Sequence, residues 1–251
     1  IVTNAKRVYV AGDDDQAIFR WAGARPEYLI NMEGERVILD KSYRLPQLIH
    51  GKANRLIKRV KDRVEKEWTS REEKGEINIH PVPQLNRLKN GKWLVLARDR
   101  YHLDRLEEEL KIEGVYYERN DETSINKRIH EAILAWEDVR RGKSIDIKRV
   151  KRIYTYLKTG EGVSKEHKGM KNADKEKLYT YDTLSTQYGL LIDKDKPWFK
   201  ALENIENNKK TYVRMCLRRK ENIRQGPRIK LSTIHGSKGS EADNVMLLTD
   251  L

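Results

Sequence analysis

The chain has 251 residues, with 52 Lys and Arg against 39 Asp and Glu for a formal net charge of +13, and as much charged (36%) as hydrophobic (37%) content. That length buries a core in one large or two modest domains, while the single cysteine, Cys216, excludes an intramolecular disulfide framework and any cysteine-built zinc site. No apolar run approaches the roughly 20 residues of a membrane span, the opening IVTNAKRVYV lacks the regions of a secretory signal, and the excess of base points to a polyanion, nucleic acid ahead of a membrane surface.

In chain order, Arg7–Ala11 (RVYVA) predicts a strand ending at Gly12, and Arg36–Asp40 (RVILD) a second. Pro46 opens a helix whose apolar positions Leu48, Ile49, Leu56, Ile57, Val60 and Val64 recur at near-helical spacing. Its other face carries bases from Lys52 to Arg63. Residues 93–97 (WLVLA) form the uninterrupted apolar run of a buried parallel strand. Leu103, Leu106 and Leu110 mark a helix, Gly114 ends it, and Val115–Tyr117 follows as a short strand, completing a βαβ pattern. Ile129, Ala132, Ile133, Trp136 and Val139 trace an amphipathic helix. Residues 143–177 are polar and lysine-rich with little periodicity, and 198–224 read as a basic helical region. Beyond Pro227, Arg228–Ile234 (RIKLSTI) and Val245–Thr249 (VMLLT) are strands joined by a polar, glycine-containing loop over 236–244.

Three segments carry chemistry. The first is GDDDQAIFRW, residues 12–21. Asp13, Asp14 and Asp15 suit magnesium or a water held near phosphate. Gln16 donates and accepts at once, which suits positioning a water against a phosphoryl group. Phe19 and Trp21 offer flat faces for unstacked bases, each stack worth about 1–3 kcal/mol. The bland alternative is an Asp-rich turn followed by core aromatics. The second segment, Leu39–Arg44 (LDKSYR), places Arg44 where a strand ends, ready for a terminal phosphate, and Tyr43 beside it for stacking on a purine. The third, LSTIHGSKGSE over 231–241, follows a strand with hydroxyls, glycines and an acid, a loop whose N–H groups and side chains can face phosphate oxygens.

These segments, in this order, resemble motifs III, IV and V of the UvrD/PcrA/Rep family of superfamily 1 DNA helicases. GDDDQAIFRWAGA resembles motif III, LDKSYR motif IV and TIHGSKGSEADNVMLLTD motif V. The resemblance implies an α/β fold of RecA-like (P-loop NTPase type) parallel sheets interrupted by a smaller basic helical insertion. Residues 1–35 would end a first motor domain, 36–125 and 226–251 would build the second, and 126–225 would be the accessory insertion. It implies ATP and Mg2+ as cofactors, single-stranded and junction DNA as partners, and a monomer in the cytoplasm of a bacterial or phage-infected cell, away from any membrane. It further implies that Gln16 senses the terminal phosphate, that Arg44 acts as an arginine finger and that Tyr43 stacks on adenine. Gly239 and Glu241 would lie by the nucleotide, Phe19 and Trp21 would stack on bases, and Thr233, His235 and Lys238 would lie along the strand. Asp13 and Asp14 would meet magnesium only through water.

The sequence departs from that pattern at Ala22, where a second Arg is usual, and at Ser240 and Ala242, where Leu and an aromatic are usual. The short insertion and high lysine content suggest a compact, phage-type member. Two other classes compete. Gly-Asp-Asp on a β-turn is also a polymerase metal signature, but no second aspartate motif accompanies it. A non-catalytic basic nucleic-acid-binding module with lapsed motor motifs keeps the charge and the aromatics and leaves Gln16 and Arg44 without a role. The chain reads as a fragment, beginning just before one strand and ending just after another. It contains no G-x-x-x-x-G-K-[ST]; Gly142-Lys143-Ser144 has Glu137 where the first glycine belongs. The purified 251-residue chain is therefore expected to show no ATP turnover. Hydrolysis that persists through further purification would overturn that expectation.

Overall fold

The computed structural model describes residues 6–83, 85–171 and 173–249, and divides the chain into two compact units, Ile1–Pro83 and Gln84–Leu251. The first unit has almost no core, Pro26 being the one buried residue among those described there. Two short 3-10 turns, Asp14–Gln16 and Arg20–Ala22, precede the helices α1 (Glu27–Ile30) and α2 (Gln47–Ile57). Neither 7–11 nor 36–40 forms a strand as the β-type runs predicted. Val8, Tyr9, Val10, Val37, Ile38 and Leu39 are all exposed, and no ladder is formed there among the described residues. A strand needs neighbours for its N–H and C=O groups, and apolar content does not supply them. Residues 69–74 run beside 40–48 instead. The Asp40 and Leu45 carbonyls accept from the Thr69 and Arg71 N–H groups, and the first N–H groups of α2, at Gln47 and Leu48, are capped by the carbonyls of Glu73 and Lys74.

Helix α2 also stops earlier than its periodicity predicted. It ends at Ile57, and the stretch through Val64 turns away because Arg63 and the Val64 N–H are held by the acidic turn described below.

The second unit contains a five-stranded sheet. Its strands are β1 (Trp93–Ala97), β2 (Tyr117–Arg119), β3 (Glu122–Thr123), β4 (Ile229–Thr233) and β5 (Asn244–Leu248), in the order β3-β2-β4-β1-β5. All pairings are parallel except the β2–β3 hairpin, whose two turn residues Asn120 and Asp121 both have positive φ. The predicted βαβ pattern is present, with one change: β4, over a hundred residues later, lies between β1 and β2. The second strand of the pattern begins at Tyr117 rather than Val115. Helix α3 (Arg100–Ile112) is capped by Asp99, which accepts from the His102 N–H, and buries Leu103, Leu106 and Leu110 against Val95, Ala97, Ile229 and Leu231. Each such leucine contributes about 2 kcal/mol.

Between β3 and β4 a separate helical core gathers residues from Ile125 to Ile223. It contains α4 (Lys127–Val139), α5 (Ile147–Tyr156), α6 (Tyr181–Gln187), α7 (Trp198–Ala201) and α8 (Asn207–Arg218). Helix α5 lies inside the stretch read as lacking periodicity. Its buried stripe, Ile147, Val150, Ile153 and Tyr154, is helical in spacing but thinned by six cationic or hydroxyl neighbours in the same ten residues. Long loops between these helices are pinned by aromatic hydroxyls. Tyr154 donates to the Tyr188 carbonyl at 2.9 Å, Tyr179 to Asp174 at 2.7 Å, and Tyr181 to Ile192 at 2.8 Å. Lys168 Nζ donates to the carbonyls of Tyr154 and Leu157 where α5 ends.

The two cores meet at the chain leading into β2. Val115 and Tyr117 face the sheet core while Tyr116 faces the helical core, the alternation expected of extended backbone. Gly114, at φ +65°, lets α8 approach, since a Cβ there would lie 2.5 Å from Met215 Cβ. Tyr212 on α8 donates to the Val115 carbonyl, and its hydroxyl lies 2.7 Å from the Ser124 hydroxyl. Burial beside Tyr212 pushes the Cys216 thiol up to about 12, so it stays protonated at neutral pH.

Asp138 is the principal buried charge of the helical core. Its carboxylate accepts from Arg149 on α5 and from Arg224 beyond α8 at 2.9 Å, with Lys143 at 3.4 Å. Burial works to raise its pKa, and the two guanidinium hydrogen bonds outweigh it, setting the value at about 2. Because the folded value lies below the unfolded one, the contribution is present above about pH 4 and lost as pH falls toward 2; it amounts to about 2 kcal/mol. Asp138→Ala is expected to lower helical-core stability by about 3 kcal/mol and to flatten this acid limb. Urea melts followed by Trp136 and Trp198 fluorescence would check both; an unchanged acid limb would remove Asp138 from the account.

Candidate functional site

Three adjacent carboxylates repel one another, so a turn such as Asp13–Asp15 folds only against cations. Two come from the stretch after α2. Arg63 grips Asp15 with both prongs, Nε to Oδ1 and Nη2 to Oδ2, each at 2.9 Å. Lys66 Nζ donates to Asp13 Oδ1 at 2.8 Å and to Asp14 Oδ1 at 2.5 Å, and lies 3.2 Å from Asp15 Oδ2. The Val64 N–H donates to Asp14 Oδ2 at 2.7 Å. Gln16 Nε2 donates to Asp13 Oδ2 at 2.5 Å, so Lys66, Asp13 and Gln16 form one chain of hydrogen bonds.

Burial of this cluster works to raise the Asp13 and Asp14 pKa values, and the Lys66 hydrogen bonds prevail, holding both below the usual carboxylate range. Burial likewise works against the Lys66 ammonium, and the carboxylates hold its pKa above the ordinary lysine value. A directly held magnesium ion does not fit. Both oxygens of Asp13 and both of Asp14 accept hydrogen bonds within the protein, and no group of three His, Cys, Asp or Glu poised for a metal occurs among the described residues.

The aromatic pair follows on the second 3-10 turn. The Phe19 and Trp21 ring centroids are 6.2 Å apart and tilted by 59°. The Ala24 and Gly23 N–H groups donate to the Phe19 and Arg20 carbonyls, and Gly23 takes φ +90° to reverse the chain. Trp21 is 76% exposed.

Tyr43 and Arg44 lie in the turn that leads into α2, both exposed. Ser42 Oγ accepts from the Arg44 and Leu45 N–H groups, and Lys41 Nζ stands 5.5 Å from the Tyr43 ring centroid.

In the second unit, Thr233 ends β4, and the turn over 234–239 leaves the sheet at the carboxyl ends of its parallel strands. Thr233 organises that turn: its Oγ1 accepts from the Gly236 N–H at 3.1 Å and its carbonyl from the Ser237 N–H at 3.0 Å. Gly236 is confined, because a Cβ would sit 3.0 Å from Ser232 Oγ and 3.2 Å from Thr233 Oγ1. His235 and Lys238 are exposed on the turn, Gly239 takes φ +84°, and Glu241 follows in exposed coil. A pocket of about 270 Å3 opens beside Ser232, Thr233 and Gly236, with Arg100, Arg119 and Lys230 on its walls. The carboxyl ends of parallel strands are where α/β sheets usually receive ligands. Two of the cations are already committed, Arg119 to Asp104 and Glu107, and Lys230 to Glu118 and Asp121.

The structure thus brings Asp13, Asp14 and Gln16 into one network near Phe19 and Trp21 along the chain, and groups Thr233 with the turn bearing His235, Lys238 and Gly239. Sequence reading missed Lys66, and it placed Arg63 on the basic face of a helix. That face loses Arg63 to Asp15. Bases later in the chain are engaged as well: Lys209 pairs with Glu206, Arg219 with Glu113, Arg224 with Asp138 and Arg228 with Glu221. The acids that claim Arg219 and Arg224 lie far away in sequence, and no local pattern announces them.

A stretch of the chain is 33% identical over 93 residues to DNA helicase II of Haemophilus influenzae, an alignment covering 35% of this chain and 12% of that protein. That stretch is helicase-related. No family model matches the chain, and no solved structure matches it.

Lys66→Met removes the cation and leaves the burial. Carboxyl NMR titration is then expected to show Asp13 and Asp14 rising from below the usual aspartate range to above it. In the parent chain the stability they contribute is present above that range and lost as pH falls through their lowered values. Titrations that coincide in the two proteins would show that Lys66 does not hold the turn.

Proposed function

We propose that this chain is part of an ATP-dependent DNA helicase or translocase that couples ATP hydrolysis to movement on single-stranded DNA and to duplex unwinding. The likeness to DNA helicase II carries the reading, and the ordered segments at 12–21, 39–44 and 231–241 agree with it. On this reading residues 1–35 end one RecA-like motor domain, 36–125 and 226–251 form the second, and the basic helices of 126–225 are an accessory insertion. The five-stranded, mostly parallel sheet suits a RecA-like domain.

Gln16 senses the terminal phosphate. Its amide is already oriented by Asp13, which Lys66 holds in turn, so a shift of Gln16 is felt at the segment after α2. Tyr43 stacks on adenine, Arg44 offers its guanidinium to the transferring phosphoryl group, and Gly239 and Glu241 lie by the nucleotide. Phe19 and Trp21 stack on bases while Thr233, His235 and Lys238 follow the sugar-phosphate strand. Magnesium arrives with ATP, and Asp13 and Asp14 approach it no nearer than through water.

The 251 residues contain no P-loop, so the test uses a polypeptide that includes one. Gln16→Ala and Arg44→Ala are each expected to lower DNA-stimulated ATP turnover, Arg44→Ala by about a thousandfold, with DNA affinity retained. Turnover equal to that of the parent would sink the motor roles. DNA binding without any turnover in the parent would favour a lapsed, non-catalytic module.

A further inference from the structure

The turn beyond Trp21 borders an open recess that none of these roles uses. Gly23 reverses the chain, the Ala24 N–H returns to the Phe19 carbonyl at 3.1 Å, and buried Pro26 anchors the start of α1. The result is a pocket of about 420 Å3 lined by Arg20, Ala24, Arg25, Glu27 and Tyr28. Its chemistry is specific. Arg20 is tied to Glu27 at 3.0 Å, which cancels one charge on each side and fixes that wall. Arg25 is exposed and has no ion-pair partner among the described residues, so the pocket carries one net positive charge. Tyr28 is 70% exposed and supplies an aromatic face.

One surplus guanidinium, one flat ring and a volume within the range of ligand pockets, about 300–1,000 Å3, match a ligand with one negative charge and one base. We infer that this pocket holds one nucleotide unit of a single nucleic-acid strand, its phosphate on Arg25 and its base on Tyr28, adjacent to the unit whose base lies on Trp21. A free nucleoside triphosphate fits poorly, since its several charges would meet a single uncommitted cation. The inference rests on the reading of Phe19 and Trp21 as stacking residues and extends it by a subsite of different composition. Arg25 gives it salt dependence, and Tyr28 gives it tolerance of base identity.

The test is fluorescence-anisotropy titration of labelled oligothymidylate with the 251-residue chain at several low salt concentrations. It is repeated for Arg25→Gln, Tyr28→Ala, Tyr28→Phe and Trp21→Ala, each checked for an unchanged circular-dichroism melt. Tyr28→Ala is expected to weaken binding by about 5- to 100-fold, with Tyr28→Phe restoring it. Arg25→Gln is expected to reduce the salt slope by about 0.7. Parent-like binding by Arg25→Gln and Tyr28→Ala, alongside weakening by Trp21→Ala, would overturn the subsite and leave the stacking reading standing. Weakening by Tyr28→Ala with none from Trp21→Ala would keep the subsite and remove Trp21 from the interface. Equal competition by adenosine monophosphate and by unlabelled oligonucleotide, unit for unit, would make this a free-nucleotide site and overturn the inference. No binding by the parent chain at the lowest salt would overturn both.

Discussion

The placement of β4 between β1 and β2 constrains everything built around it in the second unit. Its register with Trp93–Ala97 on one side and Tyr117–Arg119 on the other means that the chain leaves the sheet after β3 and returns on the far side of β2, two strand positions away. Neighbouring strands lie about 4.8 Å apart. The intervening hundred or so residues therefore start and finish about two strand spacings, roughly 10 Å, apart, and they bury their own apolar surface before returning. That is why the helical core closes on itself, and why its contacts with the sheet concentrate at Gly114, Tyr116 and Tyr212, where the chain departs. It also fixes the exit of Thr233 beside Ala97, so the glycine-bearing turn is delivered to the carboxyl edge of the sheet by pairing. The Ile234 N–H completes this by donating to the Ala97 carbonyl.

The first unit is held by other means. With Pro26 alone buried among its described residues, hydrophobic burial contributes little there. Cohesion comes from backbone pairing between 40–48 and 69–74 and from the ion cluster of Asp13, Asp14, Asp15, Arg63 and Lys66. Exposed ion pairs contribute little and are screened by salt. This cluster is different, because the Asp14 side chain is only 4% exposed and each carboxylate receives at least two donors. Removing a donor leaves a buried charge uncompensated, which costs more than the pair contributes. The same arrangement orients Gln16, so the stability of this turn and the geometry of its amide cannot be altered independently.

Elements whose evidence is local were legible. Strand β1 declares itself as five apolar residues, α3 and α4 as leucine and isoleucine stripes, and β4 and β5 as short runs around a glycine-containing loop. What was illegible depends on distant partners. The runs 7–11 and 36–40 have strand composition and, among the described residues, no strand to pair with. Helix α2 has apolar positions through Val64, yet Asp14 and Asp15 draw 63–64 out of the helix. Helix α5 disappears into lysine-rich surroundings because four buried positions do the packing. At the candidate site, the acids, Gln16 and the aromatics were readable as residue types. Their occupancy was not, since Lys66 lies fifty residues away and carries no motif of its own.

Charge illustrates the same distinction between composition and placement. Residues 126–225 contain 25 Lys and Arg against 14 Asp and Glu, so nearly all of the chain's excess base resides there. Many of those bases fasten α4, α5 and α8 to their loops, as Arg149 and Arg224 do at Asp138. Charges committed in this way still add to the long-range field that draws a polyanion in, because the field depends on the net sum. They cannot also grip a phosphate at close range without leaving an acid uncompensated. Close-range recognition therefore falls to groups with donors or faces to spare. In the first unit the exposed Arg25 and Tyr28 side chains are such groups.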